Sequence, residues 1–339
     1  MNDRYSRQEL FSGIGKKGQQ AISQKHVLIV GAGALGSGNA EALVRAGVGK
    51  VTIIDRDYVE WSNLQRQQLF TEQDAAEKIP KAVAAKERLT KINSSVLVEA
   101  ITGDAGVQEL EGLHKDVDVI IDATDNFDTR MIINDISQKY RIPWVYGACV
   151  GSYGISYTII PGVTPCLHCL LETVPLGGAT CDTAGIISPA AGMVVSFQTA
   201  EVMKLLVGDL EHIRKKLVSF DLWENQHTSI SPGTLKKEDC PSCGSRPSYP
   251  FLRYENQTKA AVLCGRDSVQ IRPAMKGDRD LERTAQILSK TGGRIERNPF
   301  LLSYENSGKR LVLFKDGRVL IHGIKDIAEA KTIYHRYLG

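Results

Sequence analysis

No uninterrupted apolar run in these 339 residues approaches the ~20 positions that a membrane-spanning helix needs. The opening residues, MNDRYSRQEL, are polar and charged and lack the apolar core of a secretory leader. A cytoplasmic protein is expected. Strong charge of one sign is missing too: 42 Lys/Arg against 39 Asp/Glu leave +3 at pH 7, so neither nucleic acid nor a membrane is the expected partner. Residues 260–339 hold 15 Lys/Arg against 9 Asp/Glu, a solvated basic face or a surface for an acidic protein. There is no internal repeat and no low-complexity segment. What is present, 42% hydrophobic and 24% charged residues, is ordinary globular composition, and the length suits one large domain with a small appendage.

The apolar run His26–Val30 ends at a glycine loop, a helical pattern follows from Leu35 to Arg45, and Gly47 ends it. Val51–Ile54 reads as a second buried strand closing on Asp55. Strand, loop, helix, strand opens a Rossmann-like, doubly wound α/β sheet. Further strands are predicted at Val96–Ile101, Val117–Ile121 and Trp144–Gly147, with helices at Lys81–Ile92 and after Asp125. Gly154–Ile160 alternates like an antiparallel strand, so the second half of the sheet is expected to be mixed. A long helix is expected over Pro189–Val207, and the Ser-, Pro- and Gly-rich Ser231–Tyr249 reads as a boundary. This divides the chain into residues 1–248 and a small α+β domain over 249–339. In the latter, strands are expected at Ala260–Leu263, Ser268–Ile271, Leu311–Phe314 and Arg318–Ile321, the last two joined by a tight Asp316-Gly317 turn, with helices at Asp280–Ser289 and from Asp326.

Gly31-Ala32-Gly33-Ala34-Leu35-Gly36 fits G-x-G-x-x-G between a strand and a helix, where bare backbone N–H groups approach a phosphate. Asp55, at the tip of the second strand, is placed to accept from a ribose. By itself the loop does not choose the nucleotide. Downstream stand Arg66 and Lys81, cations suited to a triphosphate, and Asp125 after an apolar strand, where a carboxylate can hold Mg²⁺. Nucleotidyl transfer suits this inventory better than hydride transfer.

Four of the seven cysteines form two C-x-x-C pairs, Cys166/Cys169 and Cys240/Cys243. Two such hairpins close a tetrahedral Zn²⁺ site with no open position, a structural centre pinning the boundary segment to the sheet. His168 reads as a bystander, and Cys149 and Cys264 as buried apolar side chains.

With Arg4-Tyr5-Ser6-Arg7-Gln8, the glycine loop, the Asp55-to-Arg66 stretch, Pro80-Lys81, Thr124-Asp125-Asn126 and both cysteine pairs in this order, residues 1–245 resemble the ThiF/MoeB/HesA family, bacterial relatives of the ubiquitin-activating enzymes. The resemblance implies ATP-dependent adenylation of the C-terminal glycine carboxylate of a ubiquitin-like sulfur carrier ending in Gly-Gly, of ThiS or MoaD type, for thiamine-thiazole or molybdopterin synthesis. It implies that Gly31, Gly33 and Gly36 line the ATP phosphates and that Asp55 holds the ribose. Asn63, Arg66 and Lys81 would act on the phosphates, Asp125 with its neighbour Asn126 would support Mg²⁺, and Arg7 would reach the ATP of the other subunit in a homodimer. A sulfur donor such as a cysteine desulfurase belongs to the same implied pathway. Cys181, in a polar glycine-containing loop, matches a family cysteine that is covalently used in the thiazole branch and dispensable in the molybdopterin branch; both roles stay open. So do three alternatives: a non-catalytic scaffold for a ubiquitin-like partner, adenylation of a tRNA base, and an NAD-dependent oxidoreductase.

Overall fold

His26–Val30 (β1) is buried at all five positions, as a strand covered on both faces must be. In the computed structural model, which describes residues 3–171, 184–253, 260–263, 268–271, 279–306 and 308–338, β1 is central to an eight-stranded sheet. Its other strands are β2 (Lys50–Asp55), β3 (Leu97–Thr102), β4 (Val119–Asp122), β5 (Trp144–Val150), β6 (Tyr153–Ile159), β7 (Leu217–Asp221) and β8 (Gln226–Ile230). Their order is β3-β2-β1-β4-β5-β6-β7-β8. The first five run parallel, and β6, β7 and β8 add antiparallel, the mixed half that the alternation of Gly154–Ile160 predicts. The chain passes from β1 outward to β2 and β3, then returns to β4 on the other side of β1. Strand order therefore reverses between β1 and β4, and a crevice opens at their carboxyl ends.

Helices α1 (Ser6–Leu10), α2 (Gly15–Ile22), α3 (Ala34–Ala46), α4 (Glu72–Ala76), α5 (Lys81–Ile92), α6 (Val107–Leu113), α7 (Phe127–Tyr140), α8 (Leu167–Leu171) and α9 (Ser188–Val207) surround this sheet. Strand periodicity sorts the core by face. Val27, Ile29, Val51, Ile53 and Val119 pack with Leu43 of α3, Leu89 of α5 and Val202 of α9. Leu28, Val30, Ile54 and Ile120 pack with Leu110 of α6, Ile133 of α7 and Leu170 of α8. Each such fully buried side chain contributes about 1.5–3 kcal/mol.

By length and a mean hydropathy of 1.3 alone, α9 is apolar enough to cross a membrane, although Ser196, Gln198, Thr199, Glu201 and Lys204 interrupt its apolar run. Here it lies against β5, β6 and α3 and carries buried Gln198 and Glu201, which hydrogen-bond to Asp122 O and Thr158. Strands β7 and β8 have no counterpart in the sequence reading. Every residue of β8 is exposed, so this edge strand has no apolar alternation to betray it.

The described residues between 260 and 338 form a second compact unit. Strands β9 (Ala260–Leu263), β10 (Ser268–Ile271), β11 (Arg294–Arg297), β12 (Leu301–Asn306), β13 (Lys309–Phe314) and β14 (Val319–His322) make an antiparallel sheet ordered β11-β12-β13-β14-β10-β9. Helices α10 (Leu281–Ser289) and α11 (Ile327–Leu338) bury Leu288 and Ile333 against Val269, Leu302, Leu313 and Ile321. Between β13 and β14, Gly317 N–H donates to Phe314 O at 3.0 Å, and Gly317 sits at φ 89°. The turn is thus a type I turn with a glycine bulge, one residue longer than the two-residue hairpin that Asp-Gly favours.

Candidate active site and metal centre

The glycine loop is shaped by its contact with the segment after β4. Gly31 has φ 97°, and a Cβ there would stand 2.5 Å from the carbonyl oxygen of Ala123. A Cβ at Gly36 would overlap the Gly31 carbonyl. Both are therefore demanded by the fold itself. Gly33 is different: the nearest atom to a Cβ there is Gln67 Nε2 at 3.9 Å, so its bareness leaves room beside the first turn of α3. That turn presents N–H groups without intrahelical acceptors.

Asp55 closes β2 beside this loop. Its Oδ2 accepts from Ala32 N–H and its Oδ1 from Asp57 N–H, each at 2.6 Å. Burial raises its pKa, and the nearby Lys81 ammonium opposes the rise. Lys81 begins α5, its side chain only 4% exposed, with Nζ 3.5 Å from Asp57 Oδ2. Two local features place it there: its N–H donates to Asp57 O, and Tyr58 bridges to Pro80, laying residues 57–59 along 79–81. Sequence reasoning missed Asp57 as the half-buried counter-charge of Lys81.

Asn63 is buried, and its Oδ1 accepts from Glu60 N–H at 3.0 Å, capping the short turn Trp61–Asn63 that leads to Arg66. Arg66 is half-buried and donates from Nη1 to Ser62 O at 2.9 Å. Asp125 is exposed beyond β4. Asn126 caps α7 through Oδ1 with Thr129 N–H and donates from Nδ2 to Asp125 Oδ1 at 3.3 Å. Arg56 stands near: burial opposes its charge, yet Asp104, Asp57 and Asp125 together raise its pKa above the ordinary arginine value.

A pair missing from the sequence reading fixes this segment. Asp122, fully buried at the end of β4, receives Arg130 Nε at 3.0 Å and the N–H and hydroxyl of Thr124 at 2.9 and 2.6 Å. Arg130 also donates to Thr124 O at 2.6 Å. The clamp sets the Ala123 carbonyl against Gly31, joining the Asp125 segment to the glycine loop. The available signal was an aspartate ending an apolar strand and an arginine one turn into the next helix.

Not every expected site residue is assembled. Arg7, exposed on α1, lies at the far end of α3: Gln8 Nε2 donates to Ala46 O at 3.0 Å, and Tyr5 packs on Gly47. Thirteen residues of α3 separate that end from the glycine loop, roughly 20 Å. Within one chain the two are not brought together. Cys181 and Cys264 lie outside the described residues. Cys149 is half-buried, more accessible than its apolar setting in sequence implies.

The two cysteine pairs do converge. Cys166 Sγ lies 3.9 Å from Cys169 Sγ and 3.7 Å from Cys240 Sγ, and Cys169 Sγ lies 3.6 Å from Cys243 Sγ. All four ligand atoms fall within 4.8 Å of one another. A tetrahedral ion with Zn–S bonds of ~2.3 Å requires sulfur separations of ~3.8 Å, so the thiols fit zinc, with no fifth side chain in the set. The loops are held by α7. Asn134 Oδ1 accepts from Leu167 N–H at 2.8 Å, and fully buried Asp135 accepts from Phe251 N–H at 2.9 Å and from the Ser242 hydroxyl. His168 Nδ1 stands 3.9 Å from Cys240 Sγ, beside the thiols rather than among them.

The ThiF family model matches residues 5–242. The chain is 54% identical to the sulfur carrier protein ThiS adenylyltransferase of Bacillus subtilis (strain 168), over the full length of both. It is 33% identical to the molybdopterin-synthase adenylyltransferase of Escherichia coli (strain K12), over 71% of this chain and 96% of that one. Among solved structures, E. coli MccB in complex with MccA-N7isoASN aligns at a TM-score of 0.64 and 23% identity, over 72% of this chain and 75% of that one, which speaks to the fold alone. From these matches, with the glycine loop and both cysteine pairs in place, the chain belongs to the ThiF family.

Proposed function

We propose that this chain adenylates the C-terminal glycine carboxylate of a ThiS-type sulfur carrier in thiamine-thiazole synthesis. The observation that carries this reading is the identity of 54% to a ThiS adenylyltransferase, which extends over the whole chain and includes residues 257–339. The carrier's carboxylate oxygen attacks the α-phosphorus of ATP. The bond from that phosphorus to the bridging oxygen breaks, giving the acyl-adenylate and pyrophosphate. No protein nucleophile is needed, so catalysis rests on alignment and charge stabilisation.

In this reading the bare loop Gly31–Gly36 and the first turn of α3 receive the phosphates, and Asp55 takes the ribose with its remaining lone pairs. Lys81 and Arg66 stabilise the charge that builds on pyrophosphate, with Asn63 fixing the turn that carries Arg66. Mg²⁺, held by Asp125, would neutralise phosphate oxygens. Asn126 sets the start of α7 behind it. The position of Arg7 supports a homodimer: it stands at the wrong end of α3 for its own loop, and a second copy would supply it. Cys166, Cys169, Cys240 and Cys243 would hold Zn²⁺ as a structural centre. Cys181 remains a candidate for sulfur-linked attachment of the carrier, fed by a donor such as a cysteine desulfurase in the cytoplasm.

Mass spectrometry of a ThiS-type carrier incubated with ATP and this protein should reveal the acyl-adenylate, and a carrier shortened by its last glycine should give none. Asp125→Ala should abolish the product with the fold intact. Turnover at the wild-type rate in that variant would overturn the assignment.

A further inference from the structure

Strands β4 and β5 pair in parallel at Ile120 with Trp144 and at Ile121 with Val145, and there the ladder stops. It stops at the carboxyl ends, where β4 runs on through Ala123 and Thr124 to Asp125. One side chain takes over. Gln198 of α9 is fully buried, and its Nε2 donates to Asp122 O at 2.8 Å and to Val145 O at 3.1 Å, one carbonyl on each strand. A primary amide has two N–H donors, so this bridge uses both. Gly147 makes room for it: a Cβ there would stand 2.4 Å from Nε2.

The amide is oriented from α3. Asn39, also fully buried, donates from Nδ2 to Leu35 O and to Gln198 Oε1, each at 2.8 Å. A main-chain carbonyl only accepts, so Leu35 O fixes the NH₂ side of Asn39. Gln198 must then meet that NH₂ with its oxygen and turn its own NH₂ to the strands.

Arg130 of α7 grips the same strand end from the opposite face of the sheet. Its Nε meets Asp122 Oδ2 at 3.0 Å, and its Nη2 meets Thr124 O at 2.6 Å and Gly147 O at 3.5 Å. Just before Asp125, therefore, β4 is fastened twice: by α7 through the Asp122 carboxylate and by α9 through the Asp122 main chain.

We propose that Gln198 is a positioning residue for adenylation: its amide replaces the ladder between β4 and β5 and so sets where Asp125 lies relative to the glycine loop. Fully buried, Gln198 reaches no substrate; it acts through Asp125. The proposal rests on the preceding subsection's reading of Asp125 as the residue that holds Mg²⁺.

The test compares the full chain with Gln198→Met, which keeps the length of the side chain and removes both donors, and with Gly147→Ala, which leaves Gln198 in place and displaces its amide. Each is read by thermal melting, by calorimetric ATP affinity with and without Mg²⁺, and by the maximal rate of carrier-dependent pyrophosphate exchange. Both variants should lower that rate about tenfold and raise the Mg²⁺ concentration for half-maximal exchange about fivefold, because a misplaced group costs rate without costing nucleotide contacts. ATP affinity without Mg²⁺ should stay within about twofold of wild type, and the gain in affinity that Mg²⁺ supplies should shrink, a binding readout that involves no turnover. A role in packing alone would lower the melting temperature while the folded protein kept the wild-type rate and Mg²⁺ requirement, and that result would overturn the proposal. Should Gln198→Met fail to fold, Gly147→Ala decides: wild-type rate and Mg²⁺ dependence there would overturn it as well. A wild-type chain without carrier-dependent exchange would overturn the adenylation reading and the proposal together.

Discussion

At the scale of single residues, the site depends on contacts that tolerate little change. Arg130 and Asp122 form a buried ion pair that also carries Thr124, and removing one partner strands the other's charge. Arg130→Met should therefore cost about 3–5 kcal/mol in denaturant unfolding. Pairing it with Asp122→Asn should return part of that loss; a single variant as stable as wild type would contradict the clamp. His26 makes a pH-dependent prediction. Burial pushes its pKa below the ordinary value of 6.5, against a hydrogen bond to the Asp116 carbonyl. Well above that value both folded and unfolded forms are neutral and the stabilisation is complete. As pH falls through it, the unfolded chain takes up a proton that the folded imidazole resists, so stability declines until the folded pKa is passed. His26→Gln should lose less stability than wild type between about pH 7.5 and about pH 5.5; equal losses would contradict the burial effect. The glycine loop between a strand and a helix, Asp55 at a strand end and Lys81 at a helix start were legible as positions, because each has a local signature. Asp122, Arg130 and Asp57 were not, since their partners are assigned only once β4, α7 and the segment 57–81 are placed together.

At the scale of elements, α7 organises both centres. Its N-cap Asn126 meets Asp125, Arg130 reaches back to β4, and Asn134 and Asp135 hold the loops of the two cysteine pairs. If the four thiols hold zinc, Cys169→Ser should remove it, read by elemental analysis, and lower the melting temperature, because an ion there would fasten residues 240–243 to α8. A metal-free variant that melts like wild type would show that the thiols hold the fold without metal. Helices α3, α5 and α9 were legible from apolar spacing and glycine or proline punctuation. Strand β8 was not, because Gln226-His227-Thr228-Ser229-Ile230 takes its conformation from pairing with β7 and buries nothing. Strand β11, with Arg294 and Glu296 exposed, was hidden for the same reason.

For the whole molecule, the mixed sheet, the four-thiol centre and the family were readable from ordered motifs over residues 1–245. Whether a second copy supplies Arg7 is a matter of assembly, which a single chain's sequence implies only by resemblance; the structure adds that Arg7 and the loop occupy opposite ends of α3. The central claim is that this site joins ATP to a carrier's terminal carboxylate. Exchange of labelled pyrophosphate into ATP measures that reversible step alone, with the ThiS-type carrier, the MoaD-type carrier and a ThiS-type carrier lacking its last glycine each added separately. The account predicts exchange that depends on the intact ThiS-type carrier and vanishes without its terminal glycine. Exchange that is absent with every carrier, or that needs no carrier at all, would contradict it.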